Sequence, residues 1–230
     1  MSRPPVIAID GPVAAGKSTV ARLLARRLGY FCFDTGLLYR ALTWKALRER
    51  VDLADGQALA ALARSLNVSI RPPSVNDGRL SDVIVDGQNV SAALRSPEVE
   101  ANVSAVAAQP AVRAALIDLQ RKTVRPPGTI VAGRDIGTVI FPDADFKVYL
   151  EANPEERALR RLLERGARSE AGLVQTLREI QERDRLDSTR AAAPLQRPAD
   201  ALVIDTDEVP PDRVVQRILE VYEARRAADE

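Results

Sequence analysis

Short apolar runs alternate with amphipathic segments in the first part of the chain. Residues 6–9 form an apolar run that ends at an Asp-Gly-Pro turn, and residues 18–28 then place valine and leucine at helical spacing. The same order of an apolar run and a helical pattern follows once more, with the apolar run over 30–33 and the helical pattern over 38–47. Two strand–helix pairs in tandem predict a parallel sheet packed against helices.

The middle of the chain has a different pattern. Two short runs rich in β-branched residues, 68–70 and 83–85, flank an Asn-Asp-Gly turn signal at residues 76–78. We therefore predict a small antiparallel element inserted into the α/β core. Pro97 and Pro110 then each stand at the first position of a predicted helix. Proline lacks an N–H, but the N–H at this position has no partner within the helix, so no hydrogen bond is lost.

The alternation of strands and helices resumes in the remainder of the chain. Three further apolar runs predict strands over 130–131, 146–150 and 201–204. An arginine-rich helical pattern begins at Pro154, and a last one covers 213–222. Together with the two N-terminal strands, these elements predict an α/β fold with a doubly wound, parallel five-stranded sheet flanked by helices.

The composition excludes several kinds of catalysis. The chain has no histidine and one cysteine, Cys32, so it has no Ser-His-Asp triad, no Cys-His pair, no imidazole base and no histidine zinc site. One cysteine cannot form an internal disulfide, which is typical of a reducing compartment. The 33 basic and 32 acidic residues nearly cancel, and aromatic residues are few. We therefore expect no nucleic-acid polymer as a partner.

The hydropathy of the chain bears on where the protein is located in the cell. No stretch approaches the roughly 18 apolar residues of a membrane-spanning helix. The first residues lead directly into the first predicted strand instead of a signal peptide. We expect a cytoplasmic enzyme that binds no membrane and acts as a monomer.

Arginine dominates the basic residues. Only four are lysines and the other 29 are arginines. Arginine suits bidentate recognition of phosphate and carboxylate, although a coding bias explains most of the excess equally well. Position along the chain must decide which arginines bind a ligand.

One segment matches a phosphate-binding loop. Residues 11–18 fit the pattern G-x-x-x-x-G-K-[ST] and lie between a predicted strand and a predicted helix, as the motif requires. Its glycines let backbone N–H groups and the helix N-terminus face an anion. Lys17 would reach the β- and γ-phosphates of a nucleoside triphosphate, and the Ser18 hydroxyl would bind Mg²⁺. The residues predicted to hold the triphosphate are Gly11, Pro12, Val13, Ala14, Ala15, Gly16, Lys17, Ser18 and Thr19.

Several classes of protein use such a loop. A GTPase needs an Asn-Lys-x-Asp segment to read guanine, which this sequence lacks, and a motor or DNA-translocating ATPase usually needs a longer chain. A small phosphoryl-transfer kinase fits best. A nucleotide-dependent regulatory module without a second substrate stays open as an alternative of another class.

Further motifs resemble those of a known family. They are Asp34-Thr35-Gly36 with Tyr39-Arg40, Gly133-Arg134-Asp135-Ile136-Gly137-Thr138, Phe141-Pro142-Asp143-Ala144, and Glu182-Arg183-Asp184-Arg185 with Asp187 and Arg190. In this order, and together with the loop at 11–18, they resemble bacterial cytidylate kinase over nearly the whole chain. The resemblance implies ATP-dependent transfer of the γ-phosphoryl group to CMP or dCMP, with Mg²⁺ accompanying ATP.

The resemblance also implies a domain organisation. The chain would form a single kinase unit over 1–230, with its core at about 1–62 and 110–230. A monophosphate-binding insertion would cover about 63–109, and a short lid would cover about 157–170.

Individual residues acquire roles from the resemblance. Lys17, Arg134, Arg183 and Arg190 would act on the phosphates. The arginine-rich face of the helix that begins at Pro154 is typical of a closing lid, and from it we expect Arg157 and Arg161 to bind ATP. The residues implied to bind the acceptor nucleotide are Thr35, Arg40, Ser104, Arg113, Arg134, Asp135, Arg183 and Asp187. Position supports two of them, because Arg40 and Arg134 follow predicted strands at the carboxyl edge of the sheet, where α/β proteins bind ligands. A carboxylate, a guanidinium and a hydroxyl also suffice to read cytosine.

The acceptor has alternatives, namely UMP, AMP or shikimate. Shikimate is the least attractive, because its hydroxyl acceptor would benefit from a base and because it leaves the cytosine-reading set unexplained. Three positions depart from the family pattern, among them Ala105, which replaces a residue that is often polar. Thr35 stands where many relatives have serine, and Ala132 stands where relatives commonly have an acidic residue.

Overall fold

A computed structural model describes residues 3–75, 77, 79 and 81–229. The strands are β1 (Val6–Asp10), β2 (Phe31–Asp34), β3 (Val68–Arg71), β4 (Asp82–Val85), β5 (Gln88–Asn89), β6 (Thr129–Ala132), β7 (Phe146–Glu151) and β8 (Leu202–Asp205). The helices are α1 (Lys17–Leu28), α2 (Gly36–Arg48), α3 (Gly56–Arg64), α4 (Pro97–Ala108), α5 (Pro110–Arg121), α6 (Pro154–Glu164), α7 (Glu170–Thr189) and α8 (Pro211–Asp229). A 3₁₀ turn covers Ala93–Arg95 and a π-helical turn covers Ile136–Ile140.

The main sheet has five strands in the order β2-β6-β1-β7-β8. β1 lies at its centre and pairs in parallel with β6 on one side and with β7 on the other, and β7 pairs in parallel with β8. All five residues of β1 are buried, because both of its edges are paired and both of its faces are covered. The predicted parallel five-stranded sheet flanked by helices is confirmed.

The chain divides into two compact units. One joins the chain up to Phe31 to the chain from Pro126 onward, and the other runs from Cys32 to Arg125. In the first unit, α1 packs on α8 and against β1 and β6, while α6 packs along α7. The phosphate-binding motif and the motifs after β6 and on α7 belong to this unit.

The second unit contains a three-stranded sheet in the order β3-β4-β5 and the helices α2 to α5. Strands β3 and β4 are antiparallel, with Val68 opposite Val85, so the predicted antiparallel element is confirmed. Its predicted turn includes Asn76 and Gly78, which lie outside the described residues. The apolar faces of the helices and of this small sheet share one core, which includes Leu42, Leu59 and Leu116.

The sequence pattern did not predict one helix of the second unit. α3 is nine residues long and begins after Asp55, whose carboxylate accepts hydrogen bonds from the backbone N–H groups of Gln57 and Ala58. Such an N-cap stabilises a helix by about 1 kcal/mol.

Among the described residues, no helix combines the length and the apolar character that crossing a bilayer requires.

Candidate active site

The phosphate loop (residues 11–18) connects the end of β1 to the start of α1, so the predicted strand–loop–helix context is confirmed. Gly11 passes so close to β7 that a Cβ atom there would lie 2.2 Å from the Leu150 carbonyl oxygen. Gly16 caps α1 with a φ of 84°, in the left-handed region that favours glycine. The motif glycines are therefore needed for the path of the loop, independently of any ligand.

Lys17 is the first residue of α1 and is buried. Its Nζ donates a 2.6 Å hydrogen bond across the loop to the carbonyl oxygen of Pro12. This contact holds the ammonium group against the phosphate loop at the start of α1, where a helix N-terminus also favours an anion. Ser18 is exposed beside it, and Thr19 is half-buried.

Two arginines and two aspartates in the first unit form a connected cluster. Arg134 follows β6, and its Nε donates to Asp187 on α7 at 2.9 Å. Arg190, at the end of α7, donates to Asp187 at 3.3 Å and to Asp135 at 3.4 Å. We call Arg134, Asp135, Asp187 and Arg190 the arginine–aspartate cluster. It joins predicted acceptor-binding residues that are more than 50 positions apart in the sequence.

The electrostatics of this cluster favour the ionised form of Asp187. Burial opposes ionisation of Asp187, but the nearby guanidinium groups of Arg134, Arg183 and Arg190 outweigh it and hold the pKa of Asp187 below its ordinary value. The carboxylate therefore stays ionised at neutral pH. Ionised partners keep the guanidinium groups oriented by charge-assisted hydrogen bonds.

The two arginines predicted to bind ATP have different environments. The side chain of Arg157 is 4% exposed, whereas that of Arg161 is 26% exposed. Arg157 donates to the carbonyl oxygens of Ala152 at 2.9 Å and Val13 at 3.2 Å, and to the Asp184 carboxylate at 2.6 Å. It therefore links α6, α7 and the phosphate loop. Arg161 pairs with Glu164 of its own helix at 3.2 Å.

The remaining predicted residues, Thr35, Arg40, Ser104 and Arg113, lie in the second unit. Thr35 is buried and precedes α2. Arg40 on α2 forms an ion pair with Glu100 on α4 at 2.7 Å and donates to the Leu94 carbonyl at 3.1 Å. The contacts of Arg40 fix the direction of its guanidinium group within this unit.

Arg113 is buried on α5. Its guanidinium lies over the ring of Tyr39, 5.4 Å from the ring centre, and donates to the Ala107 carbonyl at 3.2 Å. Stacking on an aromatic face orients a guanidinium plane as well as stabilising its charge. Ser104 lies half-buried on α4.

Comparison with known proteins identifies the family. A family model described as cytidylate kinase matches residues 7–224. The chain belongs to the cytidylate kinase family. The family inferred from the sequence motifs is thereby confirmed.

Relatives named cytidylate kinase match almost end to end. One from Herpetosiphon aurantiacus is 49% identical, over 95% of this chain and 94% of its own. One from Pelotomaculum thermopropionicum is 48% identical, over 96% of this chain and 97% of its own. Among solved structures, a gluconokinase from Sinorhizobium meliloti matches at 14% identity with a TM-score of 0.49, over 100% of this chain and 97% of its own.

The motifs of the cytidylate kinase family did not draw attention to Asp10, the last residue of β1. Asp10 is fully buried, and its carboxylate accepts hydrogen bonds from the backbone N–H groups of Ile136 at 2.8 Å and Gly137 at 2.7 Å. Burial raises the pKa of Asp10 to about 6, although these two hydrogen bonds and the charge of Lys17 act against the rise. The signal in the sequence that could have identified Asp10 is a carboxylate at the end of an apolar strand.

The residues present also fit a magnesium ion bound together with the donor nucleotide. Among the described residues, no group of three or more acidic, histidine or cysteine side chains could hold a metal without other ligands. Magnesium in nucleotide sites usually takes one or two protein oxygens and completes its octahedron with water and phosphate. The exposed Ser18 hydroxyl, directly after Lys17, supplies an oxygen of this kind.

Proposed function

We propose that this protein transfers the γ-phosphoryl group of ATP to CMP and dCMP, giving CDP and dCDP. The observation that carries the proposal is the arginine–aspartate cluster, which brings together residues predicted to bind the acceptor, from the loop after β6 and from α7, in a member of the cytidylate kinase family. Two guanidinium groups that are oriented by the same carboxylate suit a phosphate monoester dianion.

The chemistry needs no general base. A phosphate monoester has a second pKa of about 6, so the acceptor is already mostly a dianion at neutral pH. The task of the protein is to align two highly charged phosphates in line and to neutralise their charge. Lysine and arginine suffice for that, which explains how a chain without histidine can catalyse the reaction.

On the donor side, the N–H groups of the phosphate loop and the Lys17 ammonium bind the β- and γ-phosphates of ATP. Ser18 holds Mg²⁺, which supplies further charge neutralisation on the phosphates when it is bound. Arg161 reaches ATP from the exposed face of α6, and Arg157 contributes from its buried position against Val13. In this proposal the lid over about 157–170 is the segment that closes over the donor.

On the acceptor side, Arg134, Arg183 and Arg190 hold the phosphates, and Asp187 holds the sugar. Arg40 adds a further contact to the acceptor phosphate. The cytosine ring requires an acceptor for its 4-amino group and donors for O2 and N3. Asp135 supplies the acceptor, while Arg113 and Ser104 supply donors, with the Thr35 hydroxyl close to the base.

The proposal also covers the role of the insertion, the cellular location and the oligomeric state. The insertion over about 63–109 binds the monophosphate, and the enzyme acts as a cytoplasmic monomer. The chain has a single cysteine, Cys32, which is buried and cannot form an internal disulfide, and this supports the reducing location.

The test is ADP release with a panel of acceptors: CMP, dCMP, UMP, AMP and shikimate, each with ATP and Mg²⁺. We expect kcat/KM for CMP or dCMP to exceed the values for UMP and AMP by at least about tenfold. UMP replaces the 4-amino donor by a carbonyl oxygen, which leaves the Asp135 carboxylate facing an acceptor. An equal or larger rate with UMP, AMP or shikimate would contradict the assignment.

A matched pair of variants on one helix tests the acceptor site. Arg113→Met should weaken CMP binding in titration calorimetry, whereas Arg121→Met, at the exposed end of α5, should not. The regulatory-module alternative requires that CMP binds neither variant nor the unaltered protein.

A further inference from the structure

The fully buried Asp10 has no part in the reaction as described so far. It ends the central strand and directly precedes Gly11, the first residue of the phosphate loop. Its two carboxylate oxygens each accept one backbone N–H, from Ile136 and Gly137. An ionised carboxylate with two backbone donors is a strong and geometrically specific anchor.

The segment that Asp10 anchors is the β6 loop (residues 133–140). At the start of this loop the N–H of Gly133 donates to the carbonyl oxygen of Ile9 at 3.0 Å. Three residues later, Ile136 and then Gly137 donate to Asp10. Two consecutive residues of β1 therefore hold the loop on both sides of Arg134 and Asp135, the residues proposed to meet the phosphate and the base of the acceptor.

Asp10 is also influenced by a charge of the phosphate loop. The Lys17 ammonium is close enough to lower the pKa of the Asp10 carboxyl by its charge, and the Asp135 carboxylate is close enough to raise it. Tyr149 is its register partner on β7. One buried carboxylate thus senses the charge of the lysine proposed to bind the donor and also bonds to the loop that carries the proposed acceptor residues.

An uncharged side chain of the same shape cannot make both bonds. The amide of asparagine has one acceptor oxygen, and its NH₂ group would face the second backbone N–H as donor against donor. A buried N–H without an acceptor is costly, so the β6 loop must shift or open on that side. The carboxylate at position 10 is thereby specified chemically and not only by size.

We propose that Asp10 is a positioning residue that fixes Arg134 and Asp135 relative to the phosphate loop, so that acceptor and donor phosphates meet in line. Asp10 touches neither substrate. It acts through the backbone of the β6 loop, and the inference rests on the proposed CMP kinase function.

The first experiment tests the anchor without any substrate. Backbone hydrogen exchange of a peptide covering 129–141 is compared in the unaltered protein, in Asp10→Asn and in Ile218→Val. Ile218 is fully buried on α8 and serves as a control for general loss of stability. We expect Asp10→Asn to raise exchange selectively in this peptide. Unchanged exchange, or an equal rise in Ile218→Val, would overturn the inference whether or not the protein phosphorylates CMP.

The second experiment tests the consequence for the acceptor. Calorimetric titration with CMP, without ATP, should show a Kd at least about tenfold higher for Asp10→Asn, and kcat should fall with it. In an Arg134→Ala/Asp135→Ala background the same substitution should change Kd by less than about threefold, because Asp10 acts through these two residues. An equal penalty in both backgrounds would show that Asp10 does not act through Arg134 and Asp135. Failure of the unaltered protein to phosphorylate CMP would refute the proposed function alone, since hydrogen exchange still tests the anchor.

Discussion

Lys17 offers a test of phosphoryl transfer that is separate from acceptor binding. It is a buried cation whose Nζ contacts the carbonyl oxygen of Pro12 across the phosphate loop. No other lysine lies in the loop sequence. Its charge is therefore suited to stabilise the phosphoryl group during transfer, when negative charge shifts toward the donor oxygens.

We predict that Lys17→Met lowers kcat by about a hundredfold or more, since removal of one preorganised donor costs that much in comparable sites. Steady-state kinetics measure this loss, and calorimetry should show CMP affinity within about threefold of the unaltered protein. Lys122→Met, at the exposed end of α5, is the matched control and should leave both quantities unchanged. Near-normal turnover in Lys17→Met would exclude the proposed contact with the phosphates.

At the scale of the element, α6 contains two arginines that occupy similar positions in the sequence pattern but differ in burial in the structure. Arg157 and Arg161 are four positions apart, and helical periodicity places both on about one face. The burial of Arg157 depends on Val13, Ala152 and Asp184, whose proximity is a property of the folded first unit.

The difference between these arginines predicts unequal effects on stability. Arg157→Ala leaves Asp184 without its guanidinium partner in a largely buried place, and we expect a loss of roughly 3 kcal/mol in the free energy of unfolding. Arg161→Ala breaks an exposed pair and should change it by less than about 0.5 kcal/mol. Urea denaturation of both variants measures the two losses. Equal losses would mean that the buried link is not a stabilising contact.

Other elements show which local signals were sufficient. β1 and α1 could be predicted because an apolar run, a glycine-rich loop and a helical leucine pattern all agree over residues 6–28. The starts of α4 and α5 could be predicted from Pro97 and Pro110. α3 and the π-helical turn at Ile136–Ile140 could not, since the first is short and the second is held by Asp10, 126 positions away.

At the scale of the whole molecule, Asp10 contributes to how stability depends on pH. The folded protein binds a proton at Asp10 up to about pH 6, whereas an unfolded aspartate releases its proton near 3.8. Between these values the folded state binds more protons, so this contribution to stability falls as pH rises. The charged groups facing it are Asp135 and Lys17, with Tyr149 opposite on β7.

We therefore predict that the free energy of unfolding of the unaltered protein, relative to Asp10→Asn, falls by about 2 kcal/mol between pH 4 and pH 7. Asparagine does not titrate, so the comparison isolates the contribution of Asp10. Denaturant titrations at several pH values give the difference directly. A difference that stays constant, or one that grows with pH, would show that burial does not raise the pKa of this carboxyl group.

The site as a whole was less predictable than its members. Motifs supplied the members, including Arg134, Asp187 and Arg190, because each lies in a distinctive local string. Their bonds to one another depend on bringing the β6 loop to α7, which only the folded first unit achieves. For the same reason, the sequence could not show that Asp10 anchors the loop between them.

Cys32 on β2 gives the molecule a built-in reporter. It is the only thiol in the sequence, and it is buried. A thiol-specific reagent can reach it only when the surrounding structure opens, because the sulfur must meet the reagent in solvent. The rate of labelling at low denaturant therefore reads the frequency of that opening in the unaltered protein. A substrate that binds only the folded state would slow this reaction by the factor 1 + [L]/Kd, where [L] is its free concentration.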